Sequence, residues 1–271
     1  MSSAILLILL NMSSGYFLKT IPGSMAQSLG AISTVIDEGF TAFHNPASAH
    51  RTECAFSLAR YLYATNMFAC SGTFKGNVLG IYYLNYGAIR GYDEAGNETH
   101  EFSPFCLDII LGRKVGPVAF HIKGFTQTID NYRLSGVSGG LSVYYEFKKI
   151  SLGFKVDNIG KVIDKDLDIP LIIALGSRVS LPADLDLYME MKGFPIESSC
   201  GFSYQYENIA IYLGSRYIIP QAHIGQDISS SFDDVHLSAG IRIAIENYIV
   251  GYGFVYTTMS SGHHFSISFT P

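Results

Sequence analysis

The sequence predicts an all-β protein: a transmembrane antiparallel β-barrel of about fourteen strands, with a small N-terminal plug-like segment in or near its lumen. Three observations predict it. Apolar and polar residues alternate with a period of two from about Glu53 onward, the connections between alternating segments are sorted by length, and the chain is rich in apolar residues without containing a helical span. In Val235-His236-Leu237-Ser238-Ala239-Gly240-Ile241-Arg242-Ile243 every odd position is apolar and every even one polar or small. Leu185-Asp186-Leu187-Tyr188-Met189-Glu190-Met191-Lys192 repeats the pattern. Successive side chains of a strand point to opposite faces, so each segment has one apolar and one polar face. A soluble sandwich would bury the apolar face, whereas a membrane barrel turns it to lipid.

Composition narrows the choice. Charged residues make up 15% of the 271, against about a quarter in ordinary soluble domains. No run of roughly 18 apolar residues exists, so helical spans are excluded. The 18 Tyr, 18 Phe and 27 Gly suit aromatic girdles around a barrel. A net charge of −5 with no basic run excludes nucleic-acid binding.

Residues 1–15 read as a secretory signal peptide: the apolar run Ala4 to Leu10 precedes the small residues Ser13-Ser14-Gly15. No Lys or Arg precedes that run, and the first basic residue is Lys19. Residues 16–52 lack the two-residue period and form either a plug within the lumen or a lead-in linker. Asn45-Pro46 inside this stretch is a turn dipeptide, with Asn45 pushed to an extended conformation by the proline ring. Residues 53–271 are the barrel. Strands are expected over 53–64, 67–75, 77–87, 100–113, 117–130, 134–147, 150–158, 169–179, 184–194, 198–206, 208–217, 233–246, 248–258 and 261–270. Most have close to the 9–11 residues that cross a bilayer at a tilt.

The loops provide a second test. The long connections, 88–99, 159–168 and 218–232, follow odd-numbered segments. The tight ones, at Gly76, Gly116, Lys148-Lys149, Glu207-Asn208 and Asn247, follow even-numbered ones. Long outer loops and short periplasmic turns sort this way in an outer-membrane barrel with its termini in the periplasm. The polar face carries Asp108, His121, Lys123, Lys155, Asp157 and Arg216. Turned to the bilayer centre, such charges cost about 2–4 kcal/mol each, less for acids. They are expected in the lumen, joined by salt bridges and hydrogen bonds.

Cys54, Cys70, Cys106 and Cys200 show no metal-type spacing, and Cys54 and Cys70 fall at different heights on neighbouring strands. His263 and His264 are adjacent on a strand and so face opposite ways; they cannot chelate one ion. No metal, cofactor or catalytic residue is expected, since no Gly-x-Ser-x-Gly nucleophile pattern occurs.

Three stretches resemble a known family. Gly23 to Ala31 with Gly30, leading through Asp37-Glu38 to Phe43-His44-Asn45-Pro46-Ala47, is similar to the N-terminal signature of FadL-like outer-membrane proteins, the PorV/PorQ branch in particular. Tyr82 to Gly87 with Tyr92-Asp93-Glu94-Ala95-Gly96-Asn97 resembles the third strand and following outer loop of PorQ-type proteins. Ser261-Gly262-His263-His264-Phe265-Ser266-Ile267-Ser268-Phe269 resembles the closing strand of the PorV branch, with His264 where Arg is usual. The resemblance implies a non-catalytic protein of the bacterial outer membrane that assists type IX-like secretion or surface attachment of exported proteins. Its partners would be outer-membrane lipids, secretion-machinery components and the exported proteins. Its outer loops, Tyr92 to Thr99 and Gln221 to Asp234, would be the working parts. The alternative is a FadL-like passive transporter of hydrophobic small molecules. That reading needs an apolar pocket near the plug and a strand kink, for which Pro170, Gly251 and Gly253 are the candidates.

Overall fold

The computed structural model describes residues 20–36, 38–61, 65–92, 96–163, 169–193, 196–218, 235–257 and 261–271. Asp37, Asp93 and the loop Gln221 to Asp234 lie outside the described residues, as does the expected signal peptide. The strands are β1 (Glu53–Tyr61), β2 (Asn66–Phe74), β3 (Asn77–Asn85), β4 (Ile89–Tyr92), β5 (Glu98–Phe102), β6 (Phe105–Val115), β7 (Val118–Ile129) and β8 (Tyr132–Phe147). They continue with β9 (Ile150–Val162), β10 (Ile172–Leu181), β11 (Leu185–Gly193), β12 (Glu197–Tyr206), β13 (Ile209–Ile218), β14 (Val235–Ile245), β15 (Tyr248–Tyr256) and β16 (Ser261–Phe269).

Fourteen of these strands form one closed antiparallel barrel, in which each pairs with its chain neighbour, β3 pairs with β6, and β16 returns to β1. The closing seam runs from Cys54↔Phe269 to Tyr61↔Gly262. Closure removes every edge of the barrel sheet, which a bilayer requires because no water is present there to satisfy an unpaired backbone group. Among the described residues no helix is long and apolar enough to cross a membrane.

Alternation places the faces as expected. Phe120, Ile122, Leu175, Met191, Leu213 and Leu237 point outward and are each more than half exposed. Ser57, Lys123, Lys155, Glu190, Ser199 and Ser238 point inward and are buried. The tight turns between even and odd barrel strands begin at Lys75, Lys148, Glu207 and Glu246, each with φ between 38° and 52°. That left-handed conformation matches the twist of the two strands being joined.

Beyond shifts of a few residues at strand ends, three differences from the sequence reading change the layout. Residues 100–102 belong to β5, which pairs with β4 in a separate two-stranded hairpin, so the fourth barrel strand starts only at Phe105. The turn at Asp130-Asn131 is tight although it lies on the long-loop side. Strand β9 also runs past residue 158 to Val162, through a bulge. There Gly139 pairs with Ile159 and Leu141 with Val156, leaving Asp157 and Asn158 opposite Gly140. Asn158 takes φ 63°, and both residues of the bulge are buried.

The cysteines are free, and Cys70 pairs with Phe56 rather than with Cys54, two residues out of register.

Candidate functional site

The described residues of the segment before β1 are buried from Ile21 to Ala49, Gln27 and Phe43 only in part, and the lumen wall holds its backbone. A short helix, α1 (Ser24–Ser28), begins after Gly23, whose φ is 101°. A Cβ on Gly23 would lie 2.3 Å from Glu38 Oε2, so only glycine fits. The Glu38 carboxylate folds back to accept the Met25 and Ala26 N–H groups at 3.1 and 3.2 Å. It also accepts from the Ser266 hydroxyl of β16 at 3.2 Å. Burial raises its pKa from 4.5 to about 7, against the lowering effect of these hydrogen bonds and of Arg242.

The chain then reverses at Gly30 and Ala31, both at positive φ. Ser238 Oγ accepts the Gly30 N–H, and Ser199 donates to the Gly30 carbonyl at 2.7 Å. The Lys192 ammonium donates to the Ala31 carbonyl at 2.6 Å. Glu190 accepts the N–H groups of Ser33 and Thr34 at 2.9 and 2.6 Å and the Thr34 hydroxyl at 2.6 Å. Its second oxygen sits 3.1 Å from Lys192. These buried groups would each be costly if left unpaired, and together they fix one seat for the segment.

Asn45 is extended, as the following proline dictates. Its Oδ1 accepts the Ala47 N–H, while Nδ2 donates to the carbonyls of Thr34 and of Val143 in β8. Pro46 opens a one-turn 3₁₀ helix over Pro46–Ser48, and Ala47 N–H also reaches Ser142 Oγ. Asn45 thus ties the two arms of the segment to each other and to the wall. Neighbouring His44 lies 2.7 Å from the Pro22 carbonyl, and Lys155 donates to the His44 carbonyl. Burial lowers the His44 pKa to about 3.

The wall facing this segment is lined with glycine. A Cβ on Gly214 would come within 2.4 Å of the Leu29 carbonyl carbon, and one on Gly240 within 2.0 Å of Ser28 Oγ. Gly251 and Gly253 face α1 in the same way, so they are packing positions rather than the strand kink a transporter would need. Pro170 lies just before β10, where its carbonyl accepts from Asn158 Nδ2. The irregularity sits one strand earlier, at the β9 bulge. There Asp157 accepts from His121 or lies beside it at 2.9 Å, and Lys123 contacts Asp157 and Asn158 at 3.4 and 3.0 Å.

Above the segment, toward the long-loop end, a cavity of about 300 Å³ remains. Ile21, Gln27 and Ala31 form its floor; Tyr61, Leu84, Tyr86, Val255, Arg216, His236 and His264 form its walls. His264 is fully buried, lies edge-on to Tyr61 with ring centroids 5.3 Å apart, and has no hydrogen-bond partner on either ring nitrogen among the described residues. Arg216 is held by Glu197 at 2.8 Å. A partly enclosed space whose lining mixes apolar and aromatic faces with Gln27, Arg216, His236 and His264 suits a small organic molecule.

No protein-family model matches the chain, and no curated protein matches it. Solved structures do. The monoaromatic hydrocarbon channel CymD superposes with a TM-score of 0.62 at 11% identity, covering 92% of this chain and 97% of that one. The Pseudomonas putida toluene transporter TodX gives 0.60 at 11% identity over 91% and 96%. A Pseudomonas aeruginosa FadL homologue gives 0.52 at 10% over 92% and 98%.

The fold is that of FadL-like outer-membrane barrels. The first two neighbours are a channel and a transporter by name, the third is a FadL homologue, and none lends specific support to the PorV/PorQ branch. Within this FadL-like barrel the residues singled out from sequence occupy three separate places. Gly30 and the Asn45-Pro46-Ala47 turn both lie inside the lumen but apart, Gly30 against β12 to β14 and the turn against β8. Tyr92, Gly96 and Asn97 lie on or beside the exposed β4–β5 hairpin, which Arg90 and Glu98 pin at 2.8 Å. His263, Phe265 and Phe269 face outward from β16. The cavity residues Tyr61, Leu84 and Tyr86 escaped the sequence reading. Their signal was faint: large apolar side chains at inward positions of an otherwise small and polar face.

Proposed function

We propose that this protein is a passive outer-membrane channel that admits a small hydrophobic or aromatic molecule into the cavity above its plug. The observation that carries this reading is the cavity itself, walled by Tyr61, Leu84, Tyr86 and Val255 and closed below by the seated segment. The likeness of the fold to hydrocarbon channels supports the same reading. The seat has a mechanistic consequence. With Glu190, Lys192 and Lys155 buried against the segment's backbone, straight passage would strand charges, so onward movement requires the plug or the wall to rearrange.

The secretion role implied by the PorV/PorQ resemblance is the second reading, resting on the outer loops at Tyr92 to Thr99 and Gln221 to Asp234. One experiment separates the two. Uptake of a radiolabelled monoaromatic compound and the set of surface-displayed proteins are compared between wild type, deletion strain and a Leu84→Trp variant that fills the cavity. The channel reading expects uptake to fall in both mutants with the surface proteins unchanged. Unaltered uptake together with secreted proteins trapped in the periplasm would replace it with the secretion reading.

A further inference from the structure

His263 and its neighbours on the outer wall play no part in the channel. Their register places three polar side chains in one row: Arg60 in β1 stands directly opposite His263 in β16 on one side and Asn66 in β2 on the other. All three are exposed on the lipid-facing side of the closing seam. Arg60 is the second-last residue of β1 at the long-loop end, so the row lies at the outer boundary of the bilayer. One step toward the bilayer centre on the same face, Leu58 pairs with Phe265, and both are exposed.

The row is also built rather than incidental. The His263 ring sits between two aromatic neighbours, with centroids 6.2 Å from Tyr252 and 5.3 Å from Phe254. Its Nδ1 lies 2.7 Å from the Tyr252 hydroxyl, and where that hydroxyl donates, the ring proton sits on Nε2. Arg60 has no ion pair among the described residues, although the inward-facing Lys123, Lys192 and Arg216 all have one. Arg60, Asn66, His263 and Tyr252 line a cleft of about 340 Å³ that continues over Leu58 and Phe265.

We infer that this cleft holds a phosphorylated lipid of the outer leaflet, its phosphate on Arg60, Asn66 and His263 and its first acyl carbons on Leu58 and Phe265. A guanidinium is the side chain best matched to a phosphate, which it can grip through two parallel N–H bonds. An acyl chain leaving such a headgroup runs toward the bilayer centre, which is the direction in which the cleft turns apolar. The site does not rest on the channel reading, because Arg60, Asn66 and His263 lie on the outer face of the wall, although the inward-facing His264 borders both the cleft and the cavity.

Native mass spectrometry of the purified, folded barrel tests this in detergent micelles containing equal amounts of phosphorylated and dephosphorylated lipid A. The expected result is selective retention of one phosphorylated lipid per barrel. Arg60→Gln lowers that retention roughly tenfold, Arg60→Lys restores part of it, and His263→Phe lowers it while keeping an aromatic ring in place. Lys161→Gln, at another outward basic position, leaves it unchanged. Heat-modifiable migration verifies that each variant is folded, and His263→Phe decides the matter if Arg60→Gln does not fold. Equal retention of the dephosphorylated lipid would overturn the assignment. So would displacement by millimolar inorganic phosphate, which would mark a site for a free anion, or retention indifferent to both Arg60 and His263.

Discussion

The two sides of the lumen are filled in different ways. Around β9 to β15 the wall contributes glycines and hydroxyls, and the N-terminal segment supplies the bulk: Ile21, Met25, Leu29, Ile32, Val35 and Ile36 pack there against Tyr188 and Tyr212. Around β1 to β8 the wall supplies most of the bulk, with Ala55, Met67, Tyr82, Leu84, Phe125 and Leu134 clustered around Phe40 of the segment. The charges divide likewise. Glu190 and Lys192 are spent on the segment's backbone, whereas Asp108, Lys123, His121 and Asp157 cluster with one another within the wall. One side of the barrel therefore takes most of its filling from the plug, and the other takes less of it, chiefly Phe40 and Phe43.

The largest effect should come from adding mass on the glycine side. Gly214→Val drives a side chain into the backbone of Leu29, a clash beyond the ~1–3 kcal/mol of ordinary overpacking. The segment then fails to seat, and limited proteolysis cuts it ahead of β1. Gly124→Val, at an outward glycine with open space around it, leaves the digestion pattern as in wild type.

Next in size are the buried ion pairs. Glu190→Leu strands Lys192 and the N–H groups of Ser33 and Thr34, at a cost of about 3–5 kcal/mol, and should also release the segment. Lys123→Met strands Asp108 and Asp157 at a similar cost. It should lower the temperature at which the heat-modifiable band is lost while the segment stays protected. If both variants expose the segment equally, the contrast between the two sides is wrong.

A smaller effect follows from pH. Seated Glu38 keeps its proton up to about pH 7, whereas the released carboxyl gives it up near 4.5. Seating therefore weakens as pH rises between those values and is level above them. His44 acts in the opposite sense: held to about 3 by burial, it stays neutral while the released ring protonates below 6.5, so seating weakens as pH falls. Wild type feels both trends between pH 4.5 and 6.5. Glu38→Gln keeps only the His44 trend, and its segment should become steadily more protease-resistant from pH 4 to pH 7. The smallest effect belongs to the exposed hairpin, where Arg90→Ala removes a solvent-screened pair worth under about 1 kcal/mol. It should leave the segment and the barrel band unmoved.

The barrel was legible in the sequence because its information is local. A strand facing lipid on one side and lumen on the other writes its period into consecutive residues, and the two-residue turns mark its ends. Hairpin β4–β5 was missed because Tyr92 and Glu98 to Glu101 are exposed on both faces, which erases the period. The seat of the N-terminal segment was legible only at Asn45-Pro46, where a proline constrains its own neighbour. The rest of the seat comes from far along the chain: Glu190 meets Thr34 across 156 residues and Ser238 meets Ser28 across 210. A glycine such as Gly240 reads simply as small, and nothing nearby in the sequence says that another part of the chain will lie against it. The cavity is harder still, being defined by what neither the wall nor the segment fills.

Ser266 hydrogen-bonds Ser24 and Glu38 from β16, the strand that also pairs with β1 to close the barrel. The segment that precedes β1 thus finds partners on β16, 242 residues away for Ser24. Such distant pairing is slow to form, because the loop must be brought together before any contact rewards it. Completing the wall and locking the plug therefore become one late event in assembly, and a chain that stops short of β16 would leave both undone.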